Sequence, residues 1–178
     1  RQRQMCIRDR LSPDVDAFTV RQRIQEQIAA LRTERQGRRG SLAWRFLREA
    51  RSYARHPAIV CGTGVSLSYR ELLVGSLCMR EALRPLLGQG KNVAVLLPPG
   101  AGGALANIAL ALEGRATVNL NYTLQNADLA EMCERADCGS IITARRFLGA
   151  LERESPLPPD RTILLEDVRP AITTGMKL

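Results

Sequence analysis

Histidine occurs once in these 178 residues, and aromatic side chains make up only 4% of them. The five cysteines (Cys6, Cys61, Cys78, Cys133, Cys138) are scattered and odd in number. They read as reduced thiols. Cys133 and Cys138 have no second Cys or His pair nearby, so they read as packed side chains rather than a zinc site. No apolar run reaches the roughly 18 residues of a membrane-spanning helix. The start lacks the basic-then-apolar pattern of a secretory signal, which speaks against secretion. Internal repeats and low-complexity segments are also missing.

What is present is an apolar content of 45%, enough for a sizeable core, in a chain about one domain long. The charge is uneven: residues 1–56 hold 14 Lys+Arg against 6 Asp+Glu, and residues 57–178 hold 12 of each. The net +8 therefore belongs to the N-terminal arm. Such an arm reads either as a solvated helix face or as a surface attracted to anionic phosphates. The aromatic interleaving of a single-strand binder is not evident, and no nucleic-acid partner is expected.

Three zones follow along the chain. Residues 1–10, RQRQMCIRDR, have no apolar periodicity and resemble translated adapter read-through, so they are expected to be a non-native extension. Residues 11–40 are expected to be the helical tail of a preceding domain: Ala17, Val20, Ile24, Ile28 and Leu31 mark an amphipathic helix ending before a Gln36-Gly37-Arg38-Arg39-Gly40 linker. Residues 41–178 form the body.

In the body, Ser41 can cap a helix carrying Leu42, Phe46, Leu47, Ala50 and Tyr53, and residues 58–60 and 65–69 read as a hairpin around Gly62-Thr63-Gly64. Ser68 and Glu71 have capping-box spacing for a helix expected to bury Leu72, Leu73, Leu77 and Leu83. Residues 93–97 are a short apolar strand, Pro98-Pro99-Gly100 forbids its continuation, and residues 104–112 follow helical spacing. A second strand ends in Asn119-Leu120-Asn121-Tyr122-Thr123. Next come a helix over 126–136, a strand at 140–143, a short helix from Arg145 and a strand at 162–165. This alternation predicts an α/β fold: an incomplete, doubly wound, mostly parallel sheet with flanking helices, preceded by the amphipathic arm.

Several of these blocks carry a resemblance. Leu67-Ser68-Tyr69-Arg70-Glu71-Leu72 is similar to the L-[ST]-Y-x-E-L block of the AMP-forming adenylating superfamily, the acyl-CoA and acyl-carrier-protein synthetases. The strand Val93–Leu97 with its following proline, and the strand ending Asn119-Leu120-Asn121-Tyr122-Thr123, resemble the next part of those domains. Ile141-Ile142-Thr143-Ala144-Arg145-Arg146-Phe147-Leu148 and Leu164-Leu165-Glu166-Asp167-Val168 resemble one branch, the acyl-[acyl-carrier-protein] synthetase half of the bifunctional 2-acylglycerophosphoethanolamine acyltransferase. The resemblance implies the N-terminal part of a truncated ligase domain. Its parent would use ATP and Mg2+ to activate a fatty acid, load it onto acyl carrier protein or coenzyme A, and serve lysophospholipid reacylation on the cytoplasmic side of a membrane. The basic arm would face anionic lipid.

The resemblance also directs attention to particular residues. Thr173-Thr174-Gly175-Met176-Lys177 has some likeness to the family's phosphate loop but lacks its Ser-Gly, proline and final glycine, so the loop is expected beyond Leu178. The fragment alone is therefore expected to be inactive, with no catalytic or metal residue of its own. Gly100, Gly102 and Gly103 raise a dinucleotide-binding alternative, but Leu105 stands where the third glycine belongs and no Asp or Glu ends the next strand. Small residues for close helix–sheet packing are the favoured reading. His56 lacks the acyltransferase partner, since Cys61 stands five residues on, and it is expected in an exposed turn before Pro57. Asn121, Tyr122 and Thr123, at the C-terminal end of a strand, are the cleft candidates, with loop hydrogen bonding as the plainer alternative.

Overall fold

The computed structural model describes residues 15–37, 40–62 and 64–168. The chain divides into two compact units, Arg1–Ser41 and Leu42–Leu178.

In the first unit, helix α1 (Ala17–Gly37) starts behind Asp16. Both Asp16 oxygens are used: Thr19 N–H donates to one at 3.0 Å and Thr19 Oγ1 to the other at 2.6 Å. The helix runs through Gln36 to Gly37, past the boundary expected from the linker composition. Glycine so close to a helix end costs little, because the last turn frays in any case. The stripe of Ile24, Ile28 and Leu31 is exposed, together with Phe18. Val20, on the same stripe, is half-buried.

The second unit begins with α2 (Leu42–Ser52), which turns Ala50 inward. Strands β1 (Pro57–Val60) and β2 (Ser66–Ser68) form an antiparallel hairpin, and Gly64 takes the left-handed φ of 84° that the turn needs. His56 is exposed before it, with its ring edge-on to Tyr53. Helix α3 (Tyr69–Leu83) opens on the expected capping box: Glu71 N–H donates to Ser68 Oγ, while Ser68 N–H donates to the Glu71 carboxylate at 2.8 Å. These bonds hold the Glu71 carboxyl below its usual range. The buried stripe of α3 is Leu72, Gly75, Ser76, Met79 and Leu83, and Leu77 is exposed, contrary to expectation. Leu77 lies off the i, i+3/i+4, i+7 line that meets the sheet.

The remaining elements are β3 (Asn92–Val95), α4 (Ala101–Leu112), β4 (Ala116–Asn119), α5 (Asn126–Arg135), β5 (Cys138–Thr143), α6 (Arg145–Ala150) and, after a 3-10 turn at Pro159–Arg161, β6 (Thr162–Leu164). The four strands are parallel in the order β4-β3-β5-β6. Side chains alternate across β3: Val93 and Val95 join α3 and α4 on one face, Ala94 and Leu96 join α5 and α6 on the other. Each face has its own core. This is the doubly wound α/β arrangement expected from the sequence.

Two glycine features make the layers close. A Cβ at Gly75 would come within 2.8 Å of Leu105 Cδ2, so a larger residue there would require the Leu105 side chain to shift. Gly114, at φ 77°, ends α4 and lets Arg115 N–H return to the Leu110 carbonyl at 2.9 Å.

Candidate functional site

In an open parallel sheet the ligand crevice lies beyond the C-terminal strand ends, where successive connections leave on opposite faces. Here that place is between β3 and β5. From β3 the chain moves outward to β4 through α4 on one face, whereas from β5 it moves the other way to β6 through α6 on the opposite face. The two loops diverge and leave a gap.

The gap is a cavity of about 340 Å³ lined by Leu97, Pro98, Gly100, Gly102, Gly103, Ala144, Arg146, Phe147, Ala150 and Leu165. Apart from Arg146 its side chains are apolar. The Pro98-Pro99 pair stops β3 and turns the chain away from the sheet. Thr143, wholly buried, fixes the rim by donating from Oγ1 to the Leu96 carbonyl at 2.8 Å. On the far side, Glu166 caps α6 from a distance: its carboxylate accepts from the Arg145 N–H at 2.8 Å and the Arg146 N–H at 3.0 Å. Burial works to raise the Glu166 pKa, but the Arg146 and Arg145 N–H bonds outweigh it and hold the carboxyl below its usual range. The start of α6, and with it Arg146, is thereby anchored to residue 166.

A second cavity of about 340 Å³ lies on the other side of the Pro98-Pro99-Gly100 loop, between β3 and β4, and Asn107, Asn119, Asn121 and Tyr122 line it. Asn107 and Asn119 exchange amide hydrogen bonds at 2.9 and 3.0 Å, and Asn107 also donates to the Gly103 carbonyl at 2.8 Å. Of the three cleft candidates, Asn121 and Tyr122 face this cavity and Thr123 does not line it. Asn121 Oδ1 accepts from the N–H and hydroxyl of Thr123, at 3.1 and 2.9 Å, which shapes the loop. Tyr122 packs edge-on to Phe147 with ring centroids 5.6 Å apart. Phe147 lines the switch-point cavity, so this aromatic pair connects the two hollows.

The glycines of the β3–α4 turn are less involved in close packing than the sequence suggested. A Cβ at Gly100 would meet nothing, one at Gly102 only Leu165 at 3.9 Å, and one at Gly103 the Pro98 carbonyl at 3.4 Å. Helix α4 instead approaches the sheet through the wholly buried Ala106 and Ala109. Arg146 and the crevice around it were not singled out from the sequence; the signal was the diverging pair of loops, which needs the strand order.

Cys133 and Cys138 are both buried and their thiols hydrogen-bond to one another. Burial pushes the Cys133 thiol up to about 11, and raises Cys138 as well. They are packing groups of the α5 face. Among the described residues no three His, Cys, Asp or Glu side chains converge as a metal site. Residues 173–177, with their likeness to a phosphate loop, and residues 1–10 lie outside the described residues.

The AMP-binding enzyme family matches residues 46–175. The chain belongs to the AMP-binding enzymes. No curated protein matches it at the level of sequence alone. Solved structures share the fold: the O-succinylbenzoate coenzyme A synthetase of Bacillus subtilis in complex with AMP is 21% identical, over 72% of this chain and 32% of that one, with a TM-score of 0.60. VinN in complex with 3-methylaspartate is 17% identical over 78% and 38%, at 0.66. A fatty acyl CoA synthetase of Mycobacterium tuberculosis is 17% identical over 75% and 28%, at 0.62. The chain thus spans about a third of the length of these proteins and corresponds to one part of their architecture.

Proposed function

We propose that the chain is the N-terminal part of an AMP-forming fatty acyl ligase that uses ATP and Mg2+ to activate a fatty acid and pass it to acyl carrier protein or coenzyme A, in lysophospholipid reacylation at the inner face of a membrane. Family membership supports the ligase and its use of ATP. The substrate class rests on one observation: the switch-point cavity has apolar walls and a single cation, Arg146, among its lining residues. That combination suits an amphiphile with an anionic head and an apolar tail. The residues that handle the phosphates and the metal belong, in this reading, to the rest of the parent protein. A fused acyltransferase would precede the ligase, and the basic arm would face anionic lipid.

The test is ATP–pyrophosphate exchange by the full-length parent. A long-chain fatty acid should drive the exchange and amino or aryl acids should not; the reverse preference overturns the substrate reading. Residues 11–178 alone should catalyse none.

A noncatalytic membrane-surface role for the arm is the second reading, favoured by the exposed Phe18, Ile24, Ile28 and Leu31 among the arginines of α1. Liposome binding that survives deletion of residues 11–40 counts against it.

A further inference from the structure

The outward face of α2 lines neither of the two cavities described above and belongs to neither core. Ala43, Phe46 and Ala50 turn inward, so helical geometry sends Arg45, Arg48 and Arg51 to the opposite side, with Arg55 just beyond the helix, all exposed. Trp44 stands among them, 52% exposed, with the Arg48 guanidinium 5.1 Å from its ring centroid. Leu42 and Leu47, 69% and 40% exposed, flank the stripe. Glu49 engages Arg48 at 3.2 Å, but Arg45, Arg51 and Arg55 make no ion pair among the described residues. The sequence places the positive excess in the first 56 residues as a whole; the fold gathers part of it on one side of a helix that is packed into the ligase body.

We propose that this face of α2 is a docking surface for an anionic phospholipid bilayer. The charge is complementary to lipid phosphates, and a tryptophan flanked by leucines on an exposed helix face suits the boundary between head groups and acyl chains. One aromatic makes no stacking ladder for a nucleic-acid strand. Its role does not depend on the ligase reading.

Trp44 is the only tryptophan in the chain, so its emission reports on this face of α2. The full chain is titrated with phosphatidylcholine vesicles and with phosphatidylcholine–phosphatidylglycerol vesicles. The proposal expects a blue shift, and quenching by brominated acyl chains, with the anionic vesicles only, and loss of both at high salt. Arg45→Glu with Arg51→Glu should weaken vesicle binding by on the order of tenfold or more. If that pair disturbs folding, Arg45→Gln with Arg51→Gln should show the same direction of loss. Binding to anionic vesicles with unmoved Trp44 emission, equal binding to neutral vesicles, no binding, or insensitivity to the arginine changes overturns it. So does a larger Trp44 response to polyglutamate or duplex DNA, which would make the partner an acidic protein or a nucleic acid.

Discussion

The two ends of the parallel sheet are built differently. At the N-terminal end, side chains stitch neighbouring backbone segments together: Arg161 donates to the Gly139 and Cys138 carbonyls, Arg115 to the Gly90 carbonyl, Asn92 to the Ala136 carbonyl, and Ser140 Oγ accepts from Gly88 N–H. Gly90 and Gly139 touch there so closely that a Cβ on either would lie 3.0–3.1 Å from the other's backbone nitrogen. At the C-terminal end the loops diverge, and the hollows between them are spanned by little more than the Thr143–Leu96 bond and the Asn107–Asn119 pair. One end holds the strands together and the other is left open as cavities. Stability and binding can therefore be perturbed separately.

The largest effect is expected from Gly139→Val, which forces a branched side chain against backbone that cannot give way. Overpacking of this kind costs roughly 1–3 kcal/mol, and a drop of that size or more in a urea unfolding curve is the expected readout. Next is Thr143→Val, which strands the buried Leu96 carbonyl at the open end. The loss should be about 1–3 kcal/mol, with weaker fatty-acid-dependent exchange in the full-length parent. If stability falls and exchange does not, the switch-point cavity is not the substrate site.

A smaller, pH-dependent effect belongs to the stitched end. Glu113, at the end of α4, bonds Arg80 at 2.6 Å and Arg84 at 3.2 Å. Arg84, then Arg80, hold its carboxyl below the usual 4.5 against the opposing effect of burial. Its folded-state value is depressed, so its contribution is complete above the unfolded value and disappears as pH falls through the folded one. Glu113→Gln should flatten acid unfolding in that window. Smallest in stability is Asn121→Ala, an exposed change expected within about 0.5 kcal/mol. Its readout is exchange activity, where an unaltered rate would leave Asn121 as a loop residue only. Thiol labelling near neutral pH sharpens the contrast further: Cys61 and Cys78, both partly exposed, should react while the buried Cys133 and Cys138 stay protected.

Much of the fold was legible. The alternation of apolar runs, the Pro98-Pro99-Gly100 stop and the Ser68–Glu71 box each express a local rule, a period, a missing N–H or a cap, and a local rule survives folding. Leu77 was misjudged because every leucine of α3 looks equally apolar until the sheet fixes which stripe faces it. Of the cleft candidates, Asn121 and Tyr122 follow a strand end and line a cavity there. Arg146 and the crevice beside Gly102 were not legible, since nothing local in Ala144-Arg145-Arg146 says that its strand lies next to β3.

The sequence by itself determined the elements and the parallel class, because these depend on periodicity and on short-range stereochemistry, and its motif blocks carried the resemblance to the family. Only the tertiary structure decided where the chain opens. The switch point is a property of strand order, and strand order is set by the burial of two opposite faces at once, with Val93 and Val95 on one and Ala94 and Leu96 on the other. That condition links residues far apart in the chain, and no window of sequence contains it.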